Sequence, residues 1–568
     1  MTVENMKKTT FNKADFKQWK EIAIQSLKGK PYESLIAKTW EGINLQPLYF
    51  EKTDYKKTNN ENTTTIQSMK ENRGWTIAQQ TIADHASSFI AELKNSLDRG
   101  NESIVYDGSF SFDWEEDELL QLASLLSEYP VFFMNIKNDD PILRAFDFVH
   151  HEIRENVKGV VQSEDWIISV GYKNLRTIGA DLWKVHHDGA DAVLELAIAL
   201  SEAARIAEGT ESFQSFADNF FVRFAIDTHF FMEIAKLRAF RILWKAFSKA
   251  YEIDDAPYIP IMAVTSVRSY SKLDPYVNLL RAGNETFAAI LGGSDFITVH
   301  PHDCLTGPNA SSIRYARNIQ LVLKEETHVE KVLDPAGGSY FIEELTDELV
   351  EKAWDLFLEI ENKGGLDVFL QGGELKELLS KRQTEVNTGK RSLTGTNVYA
   401  ELGTTNFDDW DGFKQLNRLA KPFEDFRKLA SENQPKTVLV TFGELKNFKP
   451  RADFVTGFLA SGGIKSEWSP SFQTAEQAIE WLNTAKPDYA IICATDEELS
   501  NIVESILEKM PEGLLLDVAG KVDKETERKW CAKGLNGTIF SGQNKIEKLH
   551  TIFDSWQGGA TNDETRFQ

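Results

Sequence analysis

Between about residues 75 and 390, short runs of β-branched and aromatic residues alternate with longer stretches of helical period, and no other feature restricts the fold of this chain as much. The runs lie at 104–106, 131–136, 166–170, 177–178, 261–265 and 296–299. The helical stretches lie at 192–208, 230–249, 275–291, 311–326 and 343–362, the last closed by the C-cap pair Gly364-Gly365. Strands separated by helices pair in parallel, because each connection must cross over the sheet. About 315 residues of such alternation predict a parallel α/β architecture and suit a closed (β/α)8 barrel.

The flanks read differently. Phe16, Trp19, Ile22, Ile24 and Leu27 fall at near-helical spacing until Gly29 and Pro31, which predicts an arm helix. Residues 52–72 are rich in Thr, Asn, Lys and Glu, as a solvated connector would be. A second connector, with Gly403-Thr404-Thr405 and the cluster 408–412, precedes four apolar runs at 438–440, 490–493, 514–517 and 537–540, each followed by a helical period. That pattern predicts a small doubly wound sheet. The expected boundaries are an arm and linker at 1–72, a barrel at 73–399, a linker at 400–435, a doubly wound domain at 436–557 and a loose tail at 558–568.

With 42% hydrophobic and 26% charged residues the chain can bury a sizeable core. Its formal net charge of -24 repels phosphate backbones and anionic lipid faces, which argues against nucleic acid and membrane partners. No apolar run approaches a membrane span, and the N-terminus lacks the apolar centre of a secretory signal. Three scattered cysteines, Cys304, Cys493 and Cys531, form no CxxC pair and fit a reducing cytoplasm.

Six segments, in one order, point to a family. They are Trp40-Glu41-Gly42-Ile43 with Pro47-Leu48-Tyr49, Arg73-Gly74-Trp75-Thr76-Ile77, the stretch 230–244, Arg314-Tyr315-Ala316-Arg317-Asn318, 333–340 with Glu343-Glu344-Leu345-Thr346, and Gly395-Thr396-Asn397. Together they resemble the methylmalonyl-CoA mutase family. The resemblance implies a partner-clasping arm, a (β/α)8 TIM barrel through which the CoA ester threads, and a flavodoxin-like cobalamin domain. It also implies adenosylcobalamin chemistry, in which the cofactor supplies the radical and the protein holds and orients.

Catalytic members carry Asp-x-His-x-x-Gly after the first strand of the cobalamin domain, the histidine ligating cobalt. Here that strand ends at Phe442-Gly443, and an ungapped match puts Leu445 at the Asp position, Asn447 at the His and Pro450 at the Gly. No histidine occurs between His328 and His550, and His550 lies in a helical period near the chain end. Pro450 fits the first turn of a helix running from Arg451 to Ser461 with Gly462 as C-cap. In the barrel, the family's Arg-Gln-Tyr is replaced by Ala78-Gln79-Gln80, so Gln80 takes the tyrosine's place. The family's Tyr-His pair aligns with Trp183 and Lys184.

The remaining candidates have plainer readings. His300-Pro301-His302-Asp303-Cys304 contains ligand types, but three adjacent groups on an extended segment cannot all face one metal ion. Gly337-Gly338-Ser339 lacks the lysine of a phosphate loop, and His186-His187 reads as solvated or hydrogen-bonded rather than ligating. Lys446, Lys449 and Arg451 read as surface charge. The implied function is that of a small, non-catalytic subunit with no catalytic, cofactor or metal ligands of its own, stabilising a large catalytic subunit that carries adenosylcobalamin and interconverts methylmalonyl-CoA and succinyl-CoA. The alternatives are an active acyl-CoA mutase with atypical cobalamin binding, Asn447 standing near cobalt, and a regulatory protein holding an acyl-CoA in the barrel.

Overall fold

The computed structural model describes residues 7, 15–50, 55–70, 73–163, 171–403 and 405–564. It is an α/β protein whose three larger sheets are parallel. The strands of the first region are β1 (Thr76–Ile77), β2 (Ile104–Asp107), β3 (Val131–Met134), β4 (Lys158–Val161), β5 (Asn174–Arg176), β6 (Ile178–Asp181), β7 (Phe220–Ile226), β8 (Ile261–Thr265) and β9 (Phe296–Thr298). One sheet has the order β2-β3-β4-β5 and the other β1-β9-β8-β7-β6. Thr177 alone separates β5 from β6, and Gln80, just past β1, bridges Val105 of β2 in parallel.

Four of the predicted strands coincide with β2, β3, β8 and β9; the run 131–136 stops at Met134 because Asn135 turns the chain at φ 54°. The run 177–178 falls on the β5–β6 junction, and 166–170 lies outside the described residues. Strands β1, β4 and β7 escaped prediction. β7 is buried at every position but Arg223, the mark of a strand covered on both faces, and it follows the helix Phe213–Asn219 without a loop. All five predicted helices form, as Ala192–Glu208, Phe230–Ala250, Pro275–Gly292, Ala310–Thr327 and Tyr340–Asn362. Asp191 and Asn309 cap two of them through their side chains, and Gly365 N–H closes the last on the Ile360 carbonyl at 3.0 Å.

The connector expected at 52–72 is instead mostly helix, Tyr55–Ser68. Ile66 and Met69 are buried, the Met69 carbonyl accepts from Arg241, and Asn62 donates to Asp347 at 2.6 Å, so a polar sequence packs through a few apolar and bonded positions. By contrast the arm helix Phe16–Ser26, capped by Asp15, buries none of its residues.

The C-terminal sheet has the order β11-β10-β12-β13-β14, with β10 (Thr437–Phe442), β11 (Ser466–Phe472), β12 (Tyr489–Cys493), β13 (Leu515–Ala519) and β14 (Gly537–Ile539). The edge strand β11 makes a fifth where four were expected; only Ser469 and Phe472 of its residues are buried, so it shows no apolar run. The second connector also carries structure: the helix Lys421–Glu432 buries Phe423 and Phe426. The final helix, Lys545–Glu564, continues into the segment expected to be a loose tail.

Candidate functional site at the carboxyl ends of the strands

In parallel α/β proteins the chemistry sits where strands end at their carboxyl termini. Beneath those ends, the two N-terminal sheets share a buried cluster of Ala78, Val105, Phe132, Met134, Val160, Phe221 and Met262, with Phe296 packed against it. Phe132 and Phe296 approach to 4.5 Å between ring centroids. Gly159, at φ 127°, lets β4 press onto β3; a Cβ there would lie 2.0 Å from the Val131 carbonyl oxygen. Aromatic rings thus fill the space between the sheets.

Above this layer lies a buried ionic network. His186, in the short helix after β6, places Nδ1 2.7 Å from Glu195 Oε1 and Nε2 2.8 Å from Ser266 Oγ. Lys236 donates to Glu195 Oε2 at 2.7 Å and to the Ala225 carbonyl at 2.8 Å, and stands 2.6 Å from Glu233. Burial, reinforced by Arg268, pushes the His186 imidazole down to about 4. Burial also works against Glu195, but Lys236 and His186 outweigh it and hold that carboxyl at about 2. Neutral His186 beside ionised Glu195 therefore carries its hydrogen on Nδ1, leaving Nε2 to accept from the Ser266 hydroxyl. Hydroxyl, imidazole and carboxylate stand in line as in a hydrolase, yet all three are sealed from solvent.

Arg268 completes the layer. It grips Asp227 Oδ2 at 2.6 and 3.1 Å and donates to the carbonyls of His186 and Ala190. Arg268 overcomes the burial of Asp227 and holds its carboxyl well below the usual range. Burial drives Glu233 the other way, to about 7, and Asp191, beside Glu41, to about 6.

The connector packs over residues that follow the strand ends. Lys272 donates to the carbonyls of Phe407 and Asp408 and to Asp409 Oδ1. Trp410 stacks on Phe110 at 4.6 Å, and its backbone N–H donates to the Leu305 carbonyl. Phe413 packs edge-on against His300 at 5.0 Å, and Leu419 N–H bonds the Arg268 carbonyl. Enclosed here, the His300 imidazole is pushed down by burial to about 3.

The predicted site residues do not converge on this network. Gln80 is half-buried in its bridge to Val105. Lys184 is exposed and paired with Asp188 at 2.6 Å, in the helix Trp183–His187. Trp183 lies between His187 and His300, with Arg223 over its ring. Of the two readings, solvated or hydrogen-bonded, the second holds: His186 and His187 are both buried and hydrogen-bonded. His300, His302 and Cys304 go separate ways: to Phe413, to the ring of Tyr276 and into the main apolar core. The backbone of Gly338 donates to Glu343, itself bound by the buried Arg238.

At the end of β10 the expected loop is short. The helix begins at Leu445 rather than Arg451, so Leu445, Asn447 and Pro450 all lie in it, exposed, with Pro450 at its sixth position. The early start follows from Glu444, whose carbonyl accepts from Asn447 and Phe448 N–H, and from Phe448, which buries its ring. Lys446 and Lys449 pair with Glu444 and Asp453 on the surface. Arg451 does not: it lies across the strand ends, bonding the Ala494 and Ala519 carbonyls and Asp496. That crevice, at the switch point between β10 and its neighbours, is where open α/β sheets hold ligands.

Sequence reasoning missed the network. Its signal was present in Glu233, Lys236 and Arg238, charged residues set among the apolar positions of one helix.

A family profile described as methylmalonyl-CoA mutase matches residues 153–449. A probable methylmalonyl-CoA mutase small subunit from Mycobacterium bovis is 34% identical over 59% of this chain and 58% of its own length, so the aligned part spans under two thirds of that relative. The methylmalonyl-CoA mutase small subunit of Porphyromonas gingivalis is 27% identical over 95% of this chain and 96% of its own. A third, from Propionibacterium freudenreichii subsp. shermanii and of the same name, is 29% identical over 66% of this chain and 62% of its own. With its parallel strands, its ordered motifs and a profile match across more than half its length, this chain belongs to the methylmalonyl-CoA mutase family.

Proposed function

We propose that the chain is the small subunit of an adenosylcobalamin-dependent methylmalonyl-CoA mutase, itself inactive, which stabilises a large subunit holding the cofactor and performing the interconversion of methylmalonyl-CoA and succinyl-CoA. In this reading the two N-terminal sheets are one (β/α)8 barrel, joined by the Gln80–Val105 bridge and the β5–β6 junction. The C-terminal sheet, with the flavodoxin-like order, is a degenerate cobalamin domain. The expected units are 1–72, 73–399, 400–435, 436–557 and 558–568, in a cytoplasmic protein. No helix among the described residues is long and apolar enough to cross a membrane.

One observation supports the reading: Phe132, Phe221, Met262 and Phe296 fill the space between the two N-terminal sheets, which a threaded thioester would need open. The cofactor does not fit either. Asn447 sits on a helix in place of a ligand loop, Arg451 spans the crevice, and Trp410 and Phe413 cover the facing strand ends. The purified chain mixed with adenosylcobalamin should elute from gel filtration without its visible absorbance; stoichiometric retention with turnover would establish the atypical mutase instead.

A second reading, an acyl-CoA-binding regulator, draws on a pocket of about 580 Å³ at the amino ends of the strands, lined by Arg73, Lys158, Lys173 and Arg176. Phe296 forms part of its wall, so a nucleotide end fits better there than an acyl chain. Calorimetry with succinyl-CoA tests it, and heat at micromolar ligand would favour this reading.

A further inference from the structure

A pocket of about 510 Å³ lies where the segments that follow β1 and β2 meet the connector. Ile82 and Ala83 line it from the first segment, Phe110 and Phe112 from the second, and Trp410 from the connector. Its volume suits a small molecule.

The rings of this pocket are braced. Phe112 packs on Phe89 at 6.1 Å, Tyr106 at 6.0 Å and Trp114 at 5.4 Å between centroids, and those three rings are buried. Trp410 lies nearly parallel to Phe110, its plane inclined by 15°. Lys272 fixes the Phe407 and Asp408 carbonyls just before it. A Cβ on Gly412 would stand 2.3 Å from the Phe110 ring, so only glycine lets the connector approach so closely. Phe110, Phe112 and Trp410 are half-buried, which leaves part of each ring open to a guest. Aromatic faces carry negative potential and attract cations.

A carboxylate completes the pocket. Asp84 lines it with a side chain 88% exposed. The Ser88 hydroxyl donates to Asp84 Oδ1 at 3.0 Å, and His85 Nε2 stands 3.4 Å from the same oxygen. The Ser88 bond holds this carboxyl below its usual range, so it is ionised at neutral pH. Among the described residues no lysine, arginine or histidine lines the pocket, and the net charge of -24 adds a long-range pull on cations.

Other guests fit less well. Anions are repelled. Asp84, Ser88 and Ser111 give too few side-chain oxygens for a calcium or magnesium ion. An uncharged apolar guest would cover the rings but strip water from the carboxylate without replacing it.

We propose that this pocket binds a small organic cation of the quaternary or alkylated ammonium class, its alkyl groups against Phe110, Phe112 and Trp410 and its charge beside Asp84. The site goes beyond the small-subunit reading and stands whether or not this chain pairs with a catalytic one.

Calorimetry on the full-length chain tests it, with choline as the probe and, for comparison, the uncharged isostere in which a quaternary carbon replaces the nitrogen. Choline should bind at least about tenfold more tightly than the isostere. Asp84→Asn, at a side chain that solvent already surrounds, keeps the fold and should weaken choline about threefold. Trp410→Leu should weaken it about tenfold. Equal affinity for choline and the isostere, wild-type choline affinity in both variants, or no heat from choline at millimolar concentration would each overturn the site.

Discussion

Phe132 and Phe296, one from each N-terminal sheet, meet with ring centroids 4.5 Å apart and planes inclined at 54°. Phe132 is fully buried, and both rings belong to the layer that joins the sheets. Removing the Phe132 ring would leave a cavity that packed neighbours only partly refill. Phe132→Ala should lower stability by about 3–5 kcal/mol in urea unfolding, and a loss below about 1 kcal/mol would show that the layer is loosely packed.

Arg238 makes the same kind of commitment in charge. Fully buried, it bridges Asp334 and, at 2.6 Å, Glu343, tying the helix Phe230–Ala250 to the start of Tyr340–Asn362. Arg238→Met leaves two buried carboxylates facing each other and should cost about 3–5 kcal/mol. Adding Asp334→Asn and Glu343→Gln should recover most of that loss, which thermal unfolding of the three proteins can measure.

The buried carboxyl of Glu233 links stability to pH. Burial raises it to about 7, so the folded state holds its proton more tightly than the unfolded chain does. Its contribution is full below the unfolded carboxyl value, near 4.3, and disappears as pH rises through about 7. Glu233→Gln, which mimics the protonated form, should therefore gain on wild type by about 3 kcal/mol between pH 4.5 and pH 8. Parallel stability curves for the two proteins across that window would refute the assignment.

Restoring ligands should not restore a cofactor site. Leu445→Asp, Asn447→His and Pro450→Gly together rebuild the family's letters on a segment that is helix from Leu445, beside a crevice spanned by Arg451. The triple variant should retain no adenosylcobalamin after gel filtration, read by visible absorbance. A histidine-ligated spectrum would show that the letters alone suffice.

How far the sequence could be read depended on whether a signal was local. The helix Ala192–Glu208 was legible to the residue because its apolar period ends between Asp191 and Gly209. β7 was not, since a strand buried on both faces next to a helix shows no alternation. That Asn447 falls where the resemblance expects an imidazole was readable in the letters, but the early helix start was hidden by Pro450, which sits at its sixth position rather than its first. Least legible were the Phe132–Phe296 contact and the Glu195–Lys236 pair, which join residues far apart in sequence and depend on how the elements pack.

Cobalamin stoichiometry in the assembled complex bears most directly on the account. Chain and large subunit, purified together and saturated with adenosylcobalamin, should carry one cofactor per pair by visible absorbance, with turnover of methylmalonyl-CoA lost when the large subunit is omitted. Two cofactors per pair, or turnover by this chain alone, would contradict it.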